Sequence, residues 1–235
     1  MDKQKTTFTP VATDRLWGAI RVWGWIFIIS AVVLTALMAH QAIILSGYGP
    51  SDYVSEADPL EISGIEALTL LLAIVVFVIA YFVGAFLVLR WYLRSIRNAR
   101  VLHRGIQTPS GWVIWYFIVP VLSLFRPYSM TSELWRSSDR PDAWKSLRDP
   151  AILRWWWGLV LAAGFISLIG DRISQAAETA SLLQAGHSLV AGSYVLQASA
   201  GVLFLWIGGR ISRRQTALVA SGHRPADSTL PTWSA

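Results

Sequence analysis

The sequence predicts an all-α, polytopic membrane helix bundle: four transmembrane helices plus a re-entrant or interfacial helical element. Three observations lead there. Hydrophobic residues make up 54% of the chain and charged residues only 14%, against roughly a quarter charged in soluble domains, and mean hydropathy is +0.47. Four apolar stretches offer enough length to cross a bilayer as helices: Trp23 to Leu45, Ile65 to Leu89, Trp155 to Ile169 with its flanks, and Leu189 to Ile207. Lys and Arg gather at the ends of these stretches, so the net charge of +6 is explained by the bilayer. No nucleic-acid motif accompanies the charge, and no nucleic-acid partner is expected.

Residues 1–14 read as a polar cytoplasmic tail, with Pro10, expected to be disordered. The helical membrane domain then covers 15–214. Its first span, about 22–45, is longer than the ~7 to 15 apolar residues of a signal peptide and lacks an Ala-x-Ala site, so an anchor that stays is expected. Lys3, Lys5, Arg15 and Arg21 precede it, while the following loop, 46–64, has no Lys or Arg and carries Asp52, Glu56, Asp58 and Glu61. The positive-inside bias therefore puts the amino terminus in the cytoplasm. The second span, 65–90, returns to a basic collar of Arg90, Arg94, Arg97, Arg100 and Arg104.

Gly111 to Phe125 is also apolar, but about 15 residues fall short of the ~20 a crossing needs. Pro120 interrupts it, removing a backbone donor. A crossing here would put Arg126, Arg136, Arg140, Lys145, Arg148 and Arg154 outside. The segment 111–138 is therefore read as re-entrant or interfacial, with an amphipathic helix from Pro127, and a five-span layout is the alternative. The last spans, 153–172 and 188–209, go out and back and leave only Arg172 outside. Residues 215–235, with Pro225 and Pro231, form a second cytoplasmic tail, again expected to be disordered.

One pattern runs through this middle region: Asn98-Ala99-Arg100, Pro109, Gly111-Trp112, Val119-Pro120, Arg126-Pro127-Tyr128, Glu133-Leu134-Trp135, Ser138 and Trp155-Trp156. It resembles a bacterial family of integral membrane proteins classed as a domain of unknown function, over roughly Leu70 to Arg213. The resemblance implies a helical architecture and a bacterial inner-membrane location; it says nothing of an activity. The chain departs from the family pattern at Leu122-Ser123, where the family tends to have Asn.

Arg126, Glu133 and Arg140 recur at a spacing that puts them near one helical face. With Tyr128 they are the candidate site for an anionic lipid headgroup or phosphate: Arg126 as planar donor, Tyr128 as second donor, Glu133 orienting an Arg. The competing account is an interfacial helix whose charges pair with each other and with headgroups while Tyr128 and Trp135 anchor it. His40 and His187 lie near outer span ends without ligand spacing, and His103 and His223 read as solvated, so neither a metal nor another cofactor is expected. The 13 Trp residues read as interfacial belts. Small residues at four-residue spacing, Ala31-Thr35-Ala39, Ala80-Gly84 and Gly158-Ala162, indicate close helix packing.

With no cysteine and no nucleophile-elbow, Walker, dinucleotide or zincin motif, catalysis has no signature here. The first reading is a non-catalytic integral membrane protein acting by helix packing with a membrane protein partner, by homo-oligomerisation or by contact with membrane lipids. An enzyme acting on a membrane-bound substrate at the cytoplasmic face is the alternative. A channel or transporter comes third, because no charge lies centrally in any span.

Overall fold

A computed structural model describes residues 9–53, 64–103, 105–141 and 143–223. Glu56, Asp58, Glu61 and most of both expected tails lie outside the described residues. The α-helices are α1 (Asp14–Leu45), α2 (Gly64–Leu102), α3 (Trp115–Ile118), α4 (Pro120–Ser123), α5 (Arg126–Asp139), α6 (Ala151–Gln175) and α7 (Ala180–Ala220). Of these, α1, α2, α6 and α7 are long and apolar enough to cross a membrane. Among the described residues the only β pairing is an isolated bridge between Tyr53 and Thr179. The fold is all-helical.

Several helix boundaries differ from the sequence reading. The helix α2 runs past Arg90 to Leu102 and α7 past Gly209 to Ala220, because Arg, Leu and Ala sustain a helix after the apolar stretch ends. The disorder expected from residue 215 is thus corrected: Gln215 is fully buried and donates from Nε2 to the Ser95 carbonyl at 3.1 Å. At the other terminus Thr13 is buried, and Asn98 pairs with the Val11 backbone. Its Oδ1 accepts from Val11 N–H at 3.1 Å and its Nδ2 donates to Val11 O at 2.8 Å. A side-chain amide is both donor and acceptor, so it holds a chain segment as a neighbouring strand would.

The chain divides into two compact units. One comprises 19–86 and 154–206. Its core joins Ile28, Ala31 and Ala198 to Phe27, Phe77 and Tyr194, with the Phe27 and Phe77 rings stacked at 5.0 Å. Glycine is required where α6 meets α7: a Cβ on Gly186 would stand 2.8 Å from Ser174 N and 3.0 Å from Gly170 O. Of the small residues singled out in the sequence, Ala31 and Ala80 are buried, while Gly158 faces open space. The indoles divide as well: Trp155 is exposed, whereas Trp156 is buried and packs on Phe204.

The other unit comprises 1–18, 87–153 and 207–235. Trp91, fully buried, donates from its indole N–H to Ser212 Oγ at 2.8 Å and lies 5.2 Å from the Trp17 ring. Tyr92 hydrogen-bonds Thr131 at 2.7 Å, which ties α2 to α5. The middle segment is a chain of short pieces: a 3₁₀ turn at Ser110–Trp112, then α3, α4 and α5. Val119, preceding Pro120, has φ −76° and ψ 118°, the extended geometry that proline imposes on its predecessor. The helix breaks there, so no membrane-length helix forms at 111–125 and the five-span layout has no fifth helix. Val113 and Tyr116 turn inward, whereas Trp112, Trp115, Ile118, Val121 and Phe125 are each more than half exposed.

The Trp17 ring lies so close to α7 that a Cβ at Gly208 would collide with it. Gly208→Ala is therefore expected to destabilise the chain by about 1–3 kcal/mol, the usual cost of overpacking. Gly158→Ala, with nothing within 4 Å, is expected to be neutral or slightly stabilising. Thermal unfolding of both variants in one detergent checks the contrast.

Candidate functional site

The helix α5 is polar in composition yet buries Thr131, Ser132, Glu133, Ser137 and Ser138 beside Met130, Leu134 and Trp135. A helix of this kind stays buried only if its polar groups find partners. Glu133, 6% exposed, finds three. Its Oε1 accepts from Gln107 N–H at 2.5 Å, and its Oε2 from Thr108 N–H at 3.1 Å and from Thr108 Oγ1 at 2.5 Å. The carboxylate thus fastens the loop after α2 to the middle of α5. Gly105, with φ +81°, supplies the left-handed turn in that loop. A Cβ there would meet Lys145 Nζ at 2.6 Å.

These contacts leave a cavity of about 390 Å³ lined by Gln107, Thr108, Tyr116, Arg126, Ser129, Glu133, Arg136, Trp144 and Lys145. The volume is that of a small-ligand site. Three cations meet one carboxylate among the described lining residues, and that carboxylate already accepts three hydrogen bonds. The cations are held over aromatic faces. Arg126 lies 5.4 Å from the Tyr116 centroid, Arg136 5.9 Å and Lys145 5.7 Å from that of Trp144. Such stacking orders a guanidinium without consuming its in-plane donors. Arg126 is exposed, with no carboxylate partner among the described residues.

Sequence reasoning placed Arg126, Tyr128, Glu133 and Arg140 together, and the structure brings only Arg126 and Glu133 to the cavity. Tyr128 turns away and donates to Asp149 Oδ2 at 3.0 Å. Arg140 lies past the end of α5 in an extended conformation and is exposed, because the spacing argument assumed a helix one residue longer. Glu133 holds a loop, where the sequence reading had it orienting an arginine. The residues missed were Arg136, Lys145, Trp144, Thr108 and Asp149. Asp149 also accepts from Ser132 Oγ at 2.6 Å and pairs with Arg136 Nε at 3.3 Å. Its position just before Pro150 at the mouth of α6 was the available signal.

Elsewhere His103, expected to be solvated, is 3% exposed and stacks 5.9 Å from the His223 ring. His40 pairs with Glu66 at 3.5 Å. Among the described residues no group of three His, Cys, Asp or Glu side chains is arranged to hold a metal ion. Asp52, from the acidic loop, accepts from Gly49 N–H at 2.7 Å and so shapes its own turn.

Four membrane-length helices and a polar helix walled by cations define a multi-pass α-helical membrane protein. The chain belongs to the family described as domain of unknown function DUF4328, whose model matches residues 55–213. Neither the curated proteins nor the solved structures give a match.

Glu133→Gln keeps the shape of the side chain but places an amide opposite the Gln107 and Thr108 N–H donors. Hydrogen bonds to a charged acceptor contribute about 1.5–3 kcal/mol, so amide hydrogen exchange at Gln107 and Thr108 is expected to accelerate by tenfold or more. Mass-spectrometric exchange on the detergent-solubilised chain checks this. Rates equal to wild type would mean that the carboxylate does not hold the loop.

Proposed function

We propose that the chain is a non-catalytic, multi-pass inner-membrane protein with both termini cytoplasmic, which binds a phosphate-type anion in the cavity beside α5. The observation that carries this reading is the convergence of Arg126, Arg136 and Lys145 on a cavity whose described carboxylate is already engaged. The guanidinium fork of Arg126 and the ammonium of Lys145 are donors that tetrahedral anions select, while Arg136 adds charge with its Nε paired to Asp149. Glu133 and Thr108 spend their hydrogen-bonding capacity on each other and on the loop backbone, which supports binding over proton transfer. The orientation is supported by the basic collar of α2 and by Arg210, Arg213 and Arg214 in the C-terminal part of α7.

Two measurements test the reading. If Arg126 grips the anion by two parallel bonds, Arg126→Lys retains the charge but loses the fork. Retention of an anionic phospholipid in native mass spectrometry should then fall nearly as far as in Arg126→Ala, on the order of tenfold, at matched detergent and salt. Retention by Arg126→Lys equal to wild type would reduce Arg126 to a contributor of charge. For orientation, the chain has no native cysteine, so Ser51→Cys and Ser146→Cys, both exposed positions, each give one reporter thiol. An impermeant reagent is expected to label position 51 in intact cells and position 146 only after permeabilisation, and the reverse pattern would invert the topology.

A further inference from the structure

The exposed side of the short helices that precede Arg126 is largely apolar, and the Ser123 hydroxyl there is tied back to the Pro120 carbonyl. Trp115 and Ile118 on α3, Val121 on α4 and Phe125 at the start of α5 are 53%, 62%, 68% and 67% exposed. Tyr116, between Trp115 and Ile118, points the other way, into the cavity wall under Arg126. The same stretch therefore presents hydrocarbon on one side and closes a cationic cavity on the other. Leaving this much apolar surface in water would be costly, at about 25 cal/mol per Å², and Pro120 prevents the stretch from leaving the interface by crossing as one helix. A ligand reaching the cavity past Phe125 and Arg126 would touch apolar side chains at one end and guanidinium at the other. Only an amphiphile satisfies both.

We infer that the anion is the headgroup phosphate of a membrane phospholipid, bound with its phosphate among Arg126, Arg136 and Lys145 and its acyl chains along Ile118, Val121 and Phe125. This rests on the anion-binding reading above and names the source of the anion. The cavity volume of about 390 Å³ leaves room beside the phosphate for a polar headgroup such as glycerol, with Ser129 and Gln107 available to its hydroxyls. The lipid phosphate diester has two unesterified oxygens, which match the two parallel donors of one guanidinium.

The test compares ligands that share a headgroup and differ in chain. The purified full chain is offered long-chain phosphatidylglycerol, dihexanoyl phosphatidylglycerol and soluble glycerol phosphate, with phosphatidylcholine as the zwitterionic control. Binding to wild type, Arg126→Ala with Lys145→Ala, and Ile118→Ser with Val121→Ser is read by native mass spectrometry. The expected result is at least a tenfold preference for the long-chain anionic lipid over both short-chain and soluble forms. The Ile118→Ser, Val121→Ser variant should lose most of that preference while retaining any weak glycerol phosphate binding. Soluble glycerol phosphate binding as tightly as the lipid would overturn the lipid assignment and leave the anion site standing, whatever the apolar variant does. Binding of every anion unchanged in Arg126→Ala, Lys145→Ala would remove the anion site itself. The chain-length comparison needs only the wild-type chain, so misfolding of a variant does not spare the proposal.

Discussion

The carboxylate of Glu133 is the interaction on which the cavity-bearing unit depends. It lies in the middle of α5, nearly out of solvent, where an unpaired charge would cost several kcal/mol. Two backbone N–H groups and a hydroxyl meet it, all from Gln107 and Thr108. The loop leaving α2 is thereby fixed, and with it the entry to the short broken helices that form the opposite wall. Asp149 does the equivalent at the other edge of α5, receiving Tyr128, Ser132 and Arg136. A helix poor in apolar residues is thus buried largely through hydrogen bonds, with Pro127, Met130, Leu134 and Trp135 supplying its apolar packing.

The cations of the cavity follow from the same arrangement. With the described carboxylates drawn into structural bonds, Arg126 and Lys145 are left to aromatic faces. Arg214, near the C-terminal end of α5, has both kinds of support: it pairs with Asp139 and lies 4.9 Å over Trp135. Aromatic support keeps a cation in place while leaving its donors available. Surface ion pairs of similar length would have neutralised the cavity and contributed little stability.

What was legible in the sequence was what lipid enforces. Every backbone group in a bilayer needs a partner, so long apolar runs declared four helices, while the short run with Pro120 favoured a re-entrant or interfacial element and left a fifth span as the alternative. Arginine placement along α2 and α7 marked where those runs end. The interior of the polar unit was less legible, because its contacts join residues far apart in the chain. Asn98 with Val11, Gln215 with Ser95 and Trp91 with Ser212 obey no local period. Helical spacing grouped Arg126 and Glu133, which both lie within α5 and line the same cavity. It misplaced Arg140 just beyond the helix end and could not find Lys145, whose position is set by a turn and by the missing side chain of Gly105.

The pairing of Asn98 with Val11 and of Trp91 with Ser212 has a consequence for biogenesis. The polar unit draws on residues around the start of α1, on the middle of the chain and on the later part of α7. During synthesis the amino-terminal strand of backbone at Val11 waits until α2 has been made, and Trp91 waits for nearly the whole remaining polypeptide. Insertion of the hydrophobic spans therefore precedes completion of the polar unit. A nascent chain stalled or truncated before Ser212 lacks both Ser212 and Gln215, the groups that meet the Trp91 indole N–H and the Ser95 carbonyl in the finished unit.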